Sequence, residues 1–73
     1  MITREDHINW CKKRANEYLD RGDIHNGVTS MLSDLSKHPA TILPEGSPLN
    51  MLGMMAAMSG SISEARRFVN GFN

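Results

Sequence analysis

His7 and Cys11 stand four residues apart in a helical pattern, which turns both side chains to one face at the spacing by which helices present two metal ligands. A tetrahedral site needs two more. The chain has no Cys-x-x-Cys or His-x-x-x-His pair, and His25 and His38 sit on other segments. The preferred reading is plainer, with Cys11 a small core residue and His7 an exposed helix residue. Cys11 and Ser30 are the candidate nucleophiles. Neither sits on a strained elbow or a glycine-rich oxyanion loop, and no acid, base and nucleophile share a recognisable spacing. The sixteen charged residues, eight of each sign, read as a solvated surface rather than a set of tuned carboxylates. A domain this small also has little volume for a water-excluding pocket. No enzyme, metal or cofactor is expected.

Two clusters carry more weight. Lys12, Lys13 and Arg14 follow Trp10, and Arg66 and Arg67 form a second basic pair, a pattern that could hold nucleic acid through its phosphates. Glu5, Asp6, Glu17 and Asp20 share the first of these helices, however, so a salt-bridged helix face is the ordinary alternative. The run from Met51 to Met58 places four methionines in eight residues around Gly53 and Ala57, two small residues that allow close approach of a second helix. It is either the central helix of the fold, buried all round, or an adaptable apolar surface for another protein or a second copy. The central-helix reading is preferred because a small bundle needs one such helix, and both can hold at once.

The elements that must position these residues are marked by their caps. Thr3 followed by Asp6 predicts a helix from about Arg4 to Asp20, with Ile8, Cys11, Ala15, Tyr18 and Leu19 as its apolar stripe and Trp10 beside it. Gly22 can end that helix in a left-handed conformation and Asp23 can cap the next. Ile24, Val28, Met31, Leu32 and Leu35 give the second helical face, which Pro39 should stop at or before Lys37 or His38. A linker over 39–47 leads to Ser47-Pro48, a cap and first-turn proline that predict a helix over 48–59 ended by Gly60. Ser61 and Glu64 match a capping box for a short helix over 62–70, carrying Ile62, Ala65, Phe68 and Val69, with Phe72 beyond it and Gly71 closing it. The expected fold is all-α: a compact bundle of three main helices plus a short C-terminal helix in one domain, 1–73.

Composition bounds the rest. A chain of 73 residues buries only about 60% of the surface its unfolded form exposes, so a partner or second copy would add to its stability. The formal net charge of zero gives no global field toward nucleic acid or an acidic membrane. One cysteine and an N-terminus without a secretion-signal core fit a reducing cytoplasm, and the apolar run from Leu49 to Met58 is too short to cross a bilayer.

Ala15, Tyr18, Gly22, Asp23, Ile24 and Pro39 also follow the order of one tetratricopeptide-like (TPR-like) hairpin over 4–38. Gly27 and Asp34 depart from it where alanine is preferred, and Cys11, beside Trp10, takes the tryptophan position. Over nearly the whole chain, the order Arg14-Ala15, Tyr18-Leu19, Gly22-Asp23, Ser30-Met31, Ser33-Asp34-Leu35, Lys37-His38-Pro39, Leu52-Gly53-Met54-Met55, Arg66-Arg67-Phe68 and Gly71-Phe72-Asn73 resembles small uncharacterised accessory proteins of tailed bacteriophages. Gly27 and Ala40 depart from residues common there. The resemblance implies a non-structural phage protein in the host bacterial cytoplasm and transfers no activity. The expected function is protein-protein interaction with a host or phage protein through Trp10, Lys13, Arg14, Met51, Met54, Met55 and Met58, with no membrane role. The alternative is a small nucleic-acid-binding regulator using Lys12, Lys13 and Arg14. A homodimer with the methionines at its interface is expected too, although a helix apolar on several sides does not reveal which of them point outward.

Overall fold

Hydrogen-bonding side chains at the helix starts and glycines at three of the ends divide the chain into its elements. A computed structural model describes residues 3–39, 41–42 and 47–72, and these form four α-helices with no strand among them: α1 (Arg4–Asp20), α2 (Ile24–Leu35), α3 (Pro48–Met58) and α4 (Ile62–Asn70). The Thr3 hydroxyl accepts from the Asp6 amide at 3.1 Å while the Asp6 carboxylate accepts from the Thr3 amide at 3.3 Å, a closed capping box. At the far end of α1, Gly22 takes φ +80°. Its amide donates to the Leu19 carbonyl at 2.9 Å and the Asp23 amide donates to the Tyr18 carbonyl at 3.0 Å, the paired bonds of a Schellman turn. The Asp23 carboxylate then accepts from the Asn26 amide and starts α2.

α2 stops at Leu35, earlier than the proline alone requires. Thr41, buried, donates its hydroxyl to the Leu35 carbonyl at 2.5 Å and so satisfies one carbonyl of that helix end. Ala40 and 43–46, most of the linker expected over 39–47, lie outside the described residues. Ser47 and Pro48 start α3, and Gly60, at φ +72°, follows its last turn. Ser61 supplies the hydroxyl half of the expected box by accepting from the Glu64 amide. Gly71 caps α4 in a right-handed conformation.

The core is assembled from Ile8, Cys11, Ala15 and Leu19 of α1, Val28, Met31 and Leu35 of α2, Ala56 of α3, and Ala65 and Val69 of α4. Tyr18, expected on the α1 stripe, lies only half-buried at its edge, with the Arg21 guanidinium 5.3 Å from its ring centre. Two glycines set how closely the helices approach. A Cβ at Gly27 would fall 2.7 Å from Leu19 Cδ2 and 3.2 Å from the Ala15 carbonyl oxygen, so α1 and α2 cross nearer than an alanine there permits. A Cβ at Gly53 would fall 2.7 Å from Phe68 Cζ and 3.2 Å from Leu32 Cδ1. The notch at Gly53 and Ala57, expected to admit a second helix, is thus filled from within by α4 and α2. Phe68 in turn meets Phe72 edge-on at 5.1 Å between ring centres.

Candidate functional site

α2 buries the rows Gly27, Val28, Met31, Asp34 and Leu35, and one of these is a carboxylate. The Asp34 side chain is 2% exposed. Arg14 Nε donates to Oδ2 at 2.8 Å, Lys37 Nζ donates to Oδ1 at 3.0 Å and the Ser30 hydroxyl donates to Oδ2 at 3.3 Å. The Asp34 carbonyl accepts from His7 Nε2 at 2.8 Å, which puts the imidazole proton on that nitrogen, and from the Lys37 amide at 3.1 Å. Burial alone pushes the Asp34 carboxyl up, but the hydrogen bonds and charges of Lys37 and Arg14 outweigh it and hold the group below its ordinary value. Arg14 is held in its charged form by the same bond, and burial followed by the Asp34 charge pushes the Cys11 thiol up, which makes it a poor nucleophile. No buried side-chain nitrogen or oxygen among the described residues lacks a partner.

Trp10 is the outer wall of this cluster, 42% exposed. The His7 ring stacks on it at 5.5 Å, the Arg14 guanidinium carbon lies 4.8 Å from its centre and Lys37 Nζ lies 5.7 Å away. The His38 ring is 5.1 Å from that of His7. His7, expected to be exposed, is therefore buried, because the end of α2 presents it with a carbonyl to bond. The Lys12-Lys13-Arg14 triplet does not gather into one patch. Successive helix positions differ by about 100°, and Lys12 turns to α4, where Nζ donates to the Asn70 carbonyl at 3.2 Å, while Arg14 turns to α2 and Lys13 is exposed. The acidic residues of α1 do not pair along their own helix as expected either: Asp20 accepts from Arg66 of α4 at 2.6 Å.

α3 is built differently. Gly53 and Ala56 are buried and Ala57 is half-buried on the face turned to α2 and α4. Met51, Met54, Met55 and Met58 recur at i, i+3, i+4 and i+7 on the opposite face, exposed by 66%, 60%, 60% and 83%. Leu52 flanks them at 51%, with Leu49 and Ile62 beyond. The expectation of a helix buried all round is overturned. α3 packs on α2 and α4 and does not reach α1, since four short helices around one core leave none of them surrounded. A shallow apolar groove runs along the methionines between Ser47, Asn50 and Met58.

Among the described residues, no group of three His, Cys, Asp or Glu could hold a metal ion, and no helix is long and apolar enough to cross a membrane. Comparison of the chain with models of known families, with curated proteins and with solved structures finds no match in any of the three. Both surfaces are accordingly read from this chain's own residues. Of the seven residues expected to bind a partner, the four methionines share one open face, Lys13 is exposed, and Trp10 and Arg14 are drawn into the Asp34 cluster.

Proposed function

We propose that the protein is a non-enzymatic accessory protein that acts by protein-protein contact, with the outer face of α3 as its contact surface. One observation supports this reading above the others: four methionines in register on one helix, each at least 60% exposed. Apolar surface in contiguous patches of several hundred Å² marks interaction sites on soluble proteins, and the unbranched thioether side chain repacks readily against partners of different shape. The phage resemblance of the sequence supplies the setting, a host cytoplasmic factor as partner. The α1–α2 hairpin, a tetratricopeptide-like unit in this reading, is the scaffold and not the surface.

The test compares tagged wild type with a Met54→Lys/Met58→Lys variant in bacterial lysate, after circular dichroism has established equal helix content. At least one protein is expected on the wild type and lost from the variant. Identical captures on the two would defeat the reading. The nucleic-acid alternative has Trp10, partly exposed and three residues before the exposed Lys13 on α1, in its favour, and requires binding that weakens steeply with salt. Gel shifts at low salt with single-stranded and duplex probes decide it.

A further inference from the structure

We infer that the methionine face of α3 is covered by the same face of a second copy, in an antiparallel two-fold pairing. Met51 then lies against the partner's Met58, and Met54 against the partner's Met55. The inference rests on the proposed contact surface and gives it a second occupant, which competes with a host factor for the same face.

The arrangement of the face points to a copy of itself. Positions i, i+3, i+4 and i+7 read the same in both directions, and here all four carry the same side chain, so a two-fold axis midway between Met54 and Met55 maps the stripe onto itself. That self-complementarity is the requirement of an isologous interface, in which each contact occurs twice. Charge agrees. From Ser47 to Ser63 the chain has no Asp, Glu, Lys or Arg, so nothing on this face repels an identical one and nothing selects a partner of opposite charge. The area is of the right order. The four methionines and Leu52, at the exposures given above, offer roughly 600 Å² per copy, so a pair that covered them fully would bury roughly 1,200 Å², the lower bound of stable, specific interfaces, with Leu49 and Ile62 adding at the margins. The inner face is anchored where Gly53 seats Phe68, so the helix is presented from a packed support.

Sedimentation equilibrium of the purified chain from low to high micromolar concentration reads the assembly, and a charge swap reads its geometry. Wild type should reach the dimer mass. Met54→Lys and Met55→Glu should each be monomeric with unchanged helix content, because each sets unsolvated charges at the axis. Mixed one to one, they should recover a heterodimer, since the Lys then faces the Glu. With oxidised glutathione as the oxidant, an equimolar mixture of Met51→Cys and Met58→Cys should form a mixed disulfide that Met51→Cys alone does not, and the native Cys11, fully buried, stays out of the exchange. A wild type that is monomeric throughout, or a dimer that Met54→Lys leaves intact, overturns the inference. A dimer with neither charge-swap recovery nor the 51–58 cross-link overturns the antiparallel pairing. Monomeric wild type that still captures a partner in a methionine-dependent way defeats the self-pairing alone, whereas monomeric wild type with no such capture defeats the contact surface as well.

Discussion

Around Asp34, donors from α1, from α2 and from the residues just after α2 converge on one carboxylate and its carbonyl; along the outside of α3, four large side chains converge on nothing. Both regions invert the usual distribution, the first by placing a charge inside and the second by placing apolar bulk outside. They differ in whether the inversion is resolved within the chain. The Asp34 cluster is saturated: every buried polar atom described there has a partner, and the cations that reach it are spent on it. The methionine face is unresolved. A closed inversion is a structural device, and the open one is the surface proposed to meet a second molecule.

Five substitutions, two of them at Asp34, press on that contrast. The largest effect should come from Asp34→Ala, which removes three hydrogen bonds to a buried carboxylate and should cost about 3 kcal/mol in urea unfolding. The same group sets an acid limb. Its folded value lies below its ordinary 3.8, so its contribution is complete above about pH 4 and is lost as pH falls through the folded value. Thermal melts from about pH 7 to about pH 2 should show that loss in wild type and lack that part of it in Asp34→Asn. An identical limb in the two would remove Asp34 from the account of stability.

Next comes the inner face of α3. Gly53→Val drives Cβ into Phe68 and should destabilise by about 2 kcal/mol, with the near-ultraviolet signal of the aromatic residues altered. Gly22→Val meets no neighbour within 4 Å, so its expected loss of about 1 kcal/mol or more comes from the left-handed backbone alone. Smallest of all is Met54→Lys, one residue from Gly53 and on the opposite face. It should change the folding stability of the monomer by less than about 0.5 kcal/mol while changing what the protein binds. Comparable costs for Gly53→Val and Met54→Lys would erase the distinction between the two faces.

The caps made the helix boundaries readable from the sequence: Thr3 with Asp6, Gly22 with Asp23, Ser47 with Pro48 and Ser61 each announce a bond that forms. The two regions compared above were harder to read, for opposite reasons. On α2 the period was right and the residue type misled. Positions 27 and 34 fall on the buried rows with 24, 28, 31 and 35, but Gly and Asp do not register as core residues, so the buried carboxylate and the close helix crossing both went unread. His7 was concealed in the same way, four residues before Cys11 on the buried side of α1. On α3 nearly every residue is apolar, so hydrophobicity carries almost no period. The usable signal there is size, since Gly53, Ala56 and Ala57 mark the face that another helix approaches and leave the bulky side chains to the other side.

The choice of methionine for the open face has a chemical consequence. A thioether is the apolar side chain that a mild oxidant converts to a polar, chiral sulfoxide without touching the backbone, and reductases reverse the change one epimer at a time. Met51, Met54, Met55 and Met58 stand in the path of such oxidants, while Met31 and the sole thiol, Cys11, are sealed in the core. The outer face of α3 is thus the part of the folded chain whose oily character an oxidant would reach first, ahead of Met31 and the buried thiol of Cys11.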